Sequence, residues 1–170
     1  SAKAIMTTDT FPKGITRSFK FNGVNSHITG ISKGSGMIEP NMATMLGFVF
    51  VEIDIPNTLL QKMLTQVTED TFNKITVDGD ESTNDTVILA STNRLAPNKA
   101  IKTLNDPQLR NFKKELKYVF QYLANLIVRD GEGASKLISI NVKNAKSEIQ
   151  AKKIAKSIAN SQLFKTAIYG

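Results

Sequence analysis

The residues able to do chemistry here are few in kind, because the 170-residue sequence contains no cysteine and a single histidine. Thiol nucleophiles, thiolate metal sites and disulfides are therefore excluded. His27 falls in a segment that reads as a hairpin strand. A Ser-His-Asp relay would have to depend on that one residue, and a structural or exposed histidine is the better reading. Gly30-Ile-Ser-Lys-Gly-Ser-Gly36 has the glycines of a phosphate loop but not its Gly-Lys-Ser/Thr ending. Asp78 to Asp85 has the acidic look of a calcium loop, yet counting from Asp78 puts Thr83 where the glycine belongs and Leu89 where the glutamate belongs. An acyl-transfer enzyme lacking both cysteine and a histidine base can use a Ser or Thr at a chain terminus. Its own α-amine, with a pKa of about 8, then serves as the base. Composition alone does not place the cut that would create such a terminus.

The elements that would position these groups read as strands alternating with helices. Residues 3–8 form a short apolar run. Residues 15–21 and 24–32 flank Asn22-Gly23, a two-residue hairpin signal. A glycine-rich loop follows at Lys33-Gly34-Ser35-Gly36. The apolar run from Met45 to Ile53 predicts a central strand buried on both faces. Asn57 reads as the cap of a helix carrying Leu60, Met63, Leu64 and Val67. Residues 73–86 are polar, and Val87–Ala90 reads as a strand. The spacing of Leu109, Phe112, Leu116, Val119, Phe120, Leu123 and Ile127 predicts a helix over 107–128, capped by Asp106 with Pro107 in its first turn. Alternation over 136–142 predicts another strand. Ser147 with Gln150 resembles a capping box opening a last helix, and Leu163–Tyr169 reads as extended.

Length and composition fit one α/β domain: 41% hydrophobic and 22% charged residues are ordinary for a globular chain. No apolar run is long enough for a membrane helix and no secretory signal is visible, so a cytoplasmic location is the default expectation. The net charge of +7 raises nucleic-acid binding. Most of the excess is lysine scattered over expected solvent faces without interleaved aromatic residues, which reads as solvated surface and makes a nucleic-acid partner an unfavoured expectation.

Four segments in order resemble the ornithine acetyltransferase (glutamate N-acetyltransferase) family of arginine biosynthesis. They are Ala4-Ile-Met-Thr-Thr-Asp-Thr-Phe-Pro-Lys13, Gly34-Ser-Gly-Met-Ile-Glu-Pro-Asn-Met-Ala-Thr-Met-Leu46, Thr76-Val-Asp-Gly-Asp-Glu-Ser-Thr-Asn-Asp-Thr86 and Asp130-Gly-Glu-Gly-Ala-Ser-Lys136. Lys165-Thr-Ala-Ile-Tyr-Gly170 is similar to the start of a fifth family segment. The resemblance implies a layered α/β fold of the kind shared with aminopeptidases that use N-terminal nucleophiles. It also implies that residues 1–170 are a single α/β region within a longer self-processing precursor. Residues 1–43 would end the upstream subunit and residues 44–170 would begin the downstream one.

By the same resemblance, Thr44 cleaves the Ala43–Thr44 bond and then carries an acetyl group from N-acetylornithine to glutamate. No cofactor and no metal are implied. The partners implied are those two substrates, the rest of the precursor and a hetero-oligomer of the cleaved subunits, with no membrane. Thr10, Lys33 and Glu132 match substrate-contacting positions: the lysine suits a carboxylate and the glutamate suits the amine of ornithine. Taken alone, each reads as ordinary structure, a strand threonine, a loop lysine and a turn glutamate. The Asp78–Asp85 loop is expected to be mainly structural, its side chains folded back on turn backbone. The fragment alone is expected to be nearly inactive. Two other readings stand beside this one: an amide-hydrolysing aminopeptidase relative with the same nucleophile, and a non-catalytic basic binding domain.

Overall fold

The computed structural model describes residues 2–39, 45–80 and 84–169. Its centre is a four-stranded sheet whose strands β1 (Lys13–Phe21), β2 (Val24–Lys33), β3 (Leu46–Ile53) and β4 (Thr86–Leu95) lie side by side in sequence order. The first three run antiparallel and β4 pairs parallel to β3. That change of direction needs a crossover, supplied by helix α1 (Asn57–Asp70). The β1–β2 turn is the expected hairpin, with Asn22 at φ 50° and Gly23 at φ 84°. Positive φ at both turn residues gives the twist that matches the flanking strands.

The long amphipathic helix is present as α2 (Arg110–Arg129), preceded by a 3₁₀ turn at Pro107–Leu109. Asp106 caps it by accepting the Gln108 N–H at 2.9 Å. Phe112, Leu116, Val119, Phe120, Leu123, Ala124 and Ile127 are all buried, and they share one core with Leu59, Leu60, Met63 and Val67 of α1 and the inward residues of the sheet. Close approach of α2 to β2 depends on Gly30. A Cβ there would lie 2.8 Å from Leu123 Cδ1 and 2.9 Å from Val119 Cγ1.

Several expectations are corrected. β3 is not buried on both faces: Gly47, Val49, Val51 and Ile53 face the core, while Leu46, Phe48 and Glu52 are half-buried and Phe50 is 45% exposed. Both long helices pack on the same side of the sheet, and among the described residues no helix covers the other side. Asn57 is the first residue of α1 rather than its cap, because the Pro56 carbonyl already accepts the Leu59 and Leu60 N–H groups at 2.9 and 3.0 Å. Residues 136–142 form no strand. Their alternation is amphipathic, but a strand needs a ladder partner, and among the described residues they find none. Leu163–Tyr169 is helical, as α4 (Gln162–Tyr169), started by Ser161, whose hydroxyl accepts the Phe164 N–H at 3.3 Å. It follows α3 (Glu148–Ala159), which does begin at a Ser147 cap accepting the Gln150 N–H at 3.2 Å. No helix among the described residues is long and apolar enough to cross a membrane.

Replacing Gly30 with Ala tests the β2–α2 contact. Overpacking a closed core costs about 1–3 kcal/mol, so urea unfolding of Gly30→Ala should show a lower midpoint with an unchanged slope.

Candidate functional site

One end of the sheet collects the charged residues of the family-like segments. Lys13 opens β1 and is 0% exposed, an expensive position for a cation unless it is paired. Its Nζ donates to Asp9 Oδ1 at 2.6 Å and to Asp130 Oδ2, and it lies 5.0 Å from the centroid of the Phe11 ring. Both carboxylates use their remaining capacity on backbone. Asp9 accepts the Gly34 N–H at 2.8 Å and the Thr7 N–H at 3.2 Å. Asp130 accepts the Thr10 N–H at 3.0 Å and the Thr10 hydroxyl. This buried triad thus fastens the segment before β1, the glycine loop after β2 and the C-terminal end of α2 to one another.

Burial by itself pushes the Asp9 carboxyl up, but the Gly34 amide, the Lys13 ammonium and the Thr7 amide together bring it below the ordinary carboxylate value. Asp130 follows the same logic, with burial outweighed by Lys13 and by the hydroxyl and amide of Thr10.

The glycine loop carries the other expected residues. Lys33, at the end of β2, is buried and donates to the Thr7 hydroxyl at 3.0 Å. It pairs in register with Leu46, two positions past Thr44. Thr8 and Ser35 share a hydroxyl–hydroxyl hydrogen bond of 2.7 Å. Glu132 is exposed, its amide donates to the Ser35 carbonyl at 3.1 Å, and its carboxylate lies over Gly36, where a Cβ would come within 2.9 Å of Oε1. Lys33, Glu132 and Thr10 are therefore brought around one loop. Thr10 contributes both its amide and its hydroxyl to Asp130. Ala43 and Thr44 lie outside the described residues, as do Glu81, Ser82 and Thr83 of the acidic loop.

The described part of the acidic loop is structural at its first residue: Asp78 accepts the Met37, Ile38 and Asp80 N–H groups at 2.6, 2.9 and 3.1 Å. Its last residue behaves differently. Asp85 is 6% exposed, its Oδ1 accepts the Met45 N–H, and its Oδ2 is buried with no hydrogen-bond partner among the described residues. Burial pushes its pKa up to about 6 against the downward pull of the Met45 amide and the Lys33 charge. His27 stands apart, exposed on β2 and 3.1 Å from Glu52.

Sequence reasoning missed Asp9, Lys13, Asp130 and Asp85 as individuals, although each sits inside a quoted segment. The available signal was a charged residue placed against an apolar run, as Asp85 is before Val87-Ile-Leu-Ala90.

The two kinds of carboxylate predict opposite pH behaviour. Asp9 and Asp130, held below the ordinary value, stabilise the fold above about pH 4, and that contribution is lost as pH falls through their folded pKa. Lys13→Met leaves both charges buried and unpaired and should cost about 3–5 kcal/mol in urea unfolding at pH 7. Asp85, raised to about 6, destabilises the fold above that pH. Asp85→Asn should therefore gain roughly 1–3 kcal/mol at pH 7.5, a gain that shrinks through pH 6 and vanishes below about pH 4.

Comparison with known proteins places this chain in a family. The ArgJ family model matches residues 1–170. Arginine biosynthesis bifunctional protein ArgJ of Bradyrhizobium diazoefficiens is 50% identical over 172 residues, covering 100% of this chain and 42% of that protein. Its namesake from Caldanaerobacter subterraneus is 51% identical over 170 residues, with coverage of 100% and 42%. The crystal structure of arginine biosynthesis bifunctional protein ArgJ from Bacillus halodurans superimposes with a TM-score of 0.66 at 46% identity, over 75% of this chain and 59% of that one. The layered α/β expectation holds, and the chain spans 42% of the length of these curated relatives. With sequence, motifs and fold in agreement, the chain belongs to the ArgJ family of arginine biosynthesis.

Proposed function

We propose that this chain is the nucleophile-bearing part of a self-processing precursor that moves an acetyl group from N-acetylornithine to glutamate. The observation that carries the reading is that Lys33 and the Asp85-held Met45 amide meet at the strand start that directly follows Thr44, with Glu132 over the adjoining glycine loop. In the first stage the Thr44 hydroxyl attacks the Ala43 carbonyl carbon. The C–N bond breaks as the ester forms, and water then hydrolyses the ester. Residues up to 43 become the end of one subunit, and Thr44 becomes the N-terminus of the other, giving a hetero-oligomer of the two.

In the second stage the freed α-amine of Thr44 takes the hydroxyl proton while Oγ attacks the acetyl carbonyl of N-acetylornithine. Ornithine leaves with that proton and Thr44 is left as an acetyl ester. The α-amine of glutamate then attacks the ester, producing N-acetylglutamate and restoring the hydroxyl. Lys33 takes a substrate carboxylate, Glu132 takes the side-chain ammonium of the ornithine-bearing substrate, and Thr10 borders the same pocket. The chemistry calls for no cofactor, and the precursor works in the cytoplasm.

Intact-mass spectrometry of the full-length precursor, before and after N-acetylornithine, is the test. Wild type should give two pieces meeting at Ala43–Thr44, with one acetyl mass added to the piece beginning at Thr44. Thr44→Ala should stay whole and unacetylated, with transfer down at least ~10³-fold; cutting or acetylation in that variant overturns the reading. Glu132→Gln should lower kcat/KM for N-acetylornithine about 10- to 100-fold, the loss of one charged hydrogen bond, and leave deacetylation by glutamate much less affected.

A further inference from the structure

An exposed glutamate on a turn has many rotamers open to it, so a role in binding substrate requires something that sets its position. At Glu132 that something is the lack of a side chain on the neighbouring loop. The Glu132 carboxylate lies against Gly36, and a Cβ built there would have that carboxyl group as its three nearest neighbours. Oε1 would stand at 2.9 Å, Cδ at 3.0 Å and Oε2 at 3.3 Å. All three lie inside the ordinary carbon contact distance of about 3.5–4.0 Å.

Backbone conformation does not explain this glycine. Gly34, two residues earlier, holds φ 147°, where a side chain is strained, but Gly36 lies outside that left-handed region. Alanine at 36 is opposed by the space the carboxylate fills. The loop, moreover, is held on both sides of the contact. Asp9 accepts the Gly34 N–H at 2.8 Å, Thr8 and Ser35 share a hydroxyl hydrogen bond of 2.7 Å, and Asp78 accepts the Met37 and Ile38 N–H groups at 2.6 and 2.9 Å. The Glu132 backbone is tied to the same loop, its N–H donating to the Ser35 carbonyl at 3.1 Å. With both backbones anchored, an added methyl displaces the one part that can rotate away, the exposed carboxylate.

We propose, resting on the reading above in which Glu132 takes the ornithine ammonium, that Gly36 is a specificity-determining position. Its bare backbone seats the Glu132 carboxylate on the glycine loop and so sets the preference for a donor that ends in a cation. Lys33, which takes the substrate carboxylate in that reading, ends β2 three residues earlier. One anchored stretch of backbone thereby places both of the charges that an N-acetylornithine molecule has to meet. Gly36 touches no reacting atom and acts only through Glu132, which makes it a positioning residue.

The test compares two donors on the full-length enzyme, N-acetylornithine and N-acetylnorvaline, which has the same carbon chain without the terminal ammonium. Gly36→Ala should lower kcat/KM for N-acetylornithine about 10-fold, mainly through KM. The value for N-acetylnorvaline and the urea midpoint should stay at the wild-type level. In Glu132→Ala there is no carboxylate to displace, so adding Gly36→Ala should change neither donor further, the non-additivity expected of residues that act together. Equal losses for both donors, or a full further loss in the double variant, overturn the proposal. So does a Gly36→Ala protein that unfolds, since the methyl would then be meeting more than a movable carboxylate. Glu132→Ala that keeps the wild-type preference for N-acetylornithine overturns the reading of Glu132 and this proposal with it. A preference lost in Glu132→Ala but kept in Gly36→Ala sinks this proposal alone.

Discussion

The buried ammonium of Lys13 is the constraint around which the functional end of the molecule is arranged. A cation with no solvent contact has to be met by opposite charge and hydrogen-bond acceptors, and the two carboxylates that meet it are four residues before it and 117 residues after it. Neither carboxylate is spare: each also binds backbone, so satisfying Lys13 fixes Thr7, Thr10 and Gly34 as well. Replacing such a cluster by apolar side chains is often neutral or favourable for stability. Its value here is placement. The glycine loop, Lys33 and the segment through Glu132 take their relative positions from where these charges can satisfy one another.

Local rules made much of the scaffold readable. The hairpin is written in Asn22-Gly23, and α2 is written in a cap, a proline and an apolar stripe, all within one element. The errors arose where structure depends on something distant. Residues 136–142 carry a strand-like alternation with no edge to pair with, and β3 looks doubly buried because an apolar run does not say how many layers cover it. Leu163–Tyr169 differs in kind: it looks extended as a short apolar run, yet a local cap at Ser161 starts it as a helix. The triad was illegible for a stronger reason. Charge pairing across most of the chain has no periodicity, and only the fold brings Asp9, Lys13 and Asp130 together. Resemblance selected Lys33 and Glu132, whose residue types alone would not have.

Asp85 and the triad show the same side-chain chemistry under opposite boundary conditions. Asp9 and Asp130 are buried with a cation and several donors, so burial is more than offset and both carboxyls are held below the ordinary carboxylate value. Asp85 is buried with one backbone donor and a more distant cation, so desolvation dominates and the proton is held to about pH 6. A chain selected for stability alone would give Oδ2 a donor or replace the residue with asparagine. Retaining an under-paired carboxylate beside the Met45 amide sacrifices stability at neutral pH, and such local costs gather where chemistry is done. The triad, by contrast, holds Thr7, Thr10 and Gly34 through contacts that do not involve Asp85. The two arrangements thus divide the labour at this end of the sheet: satisfied charge fixes backbone at the triad, while under-paired burial leaves Asp85 a carboxyl whose charge changes near pH 6.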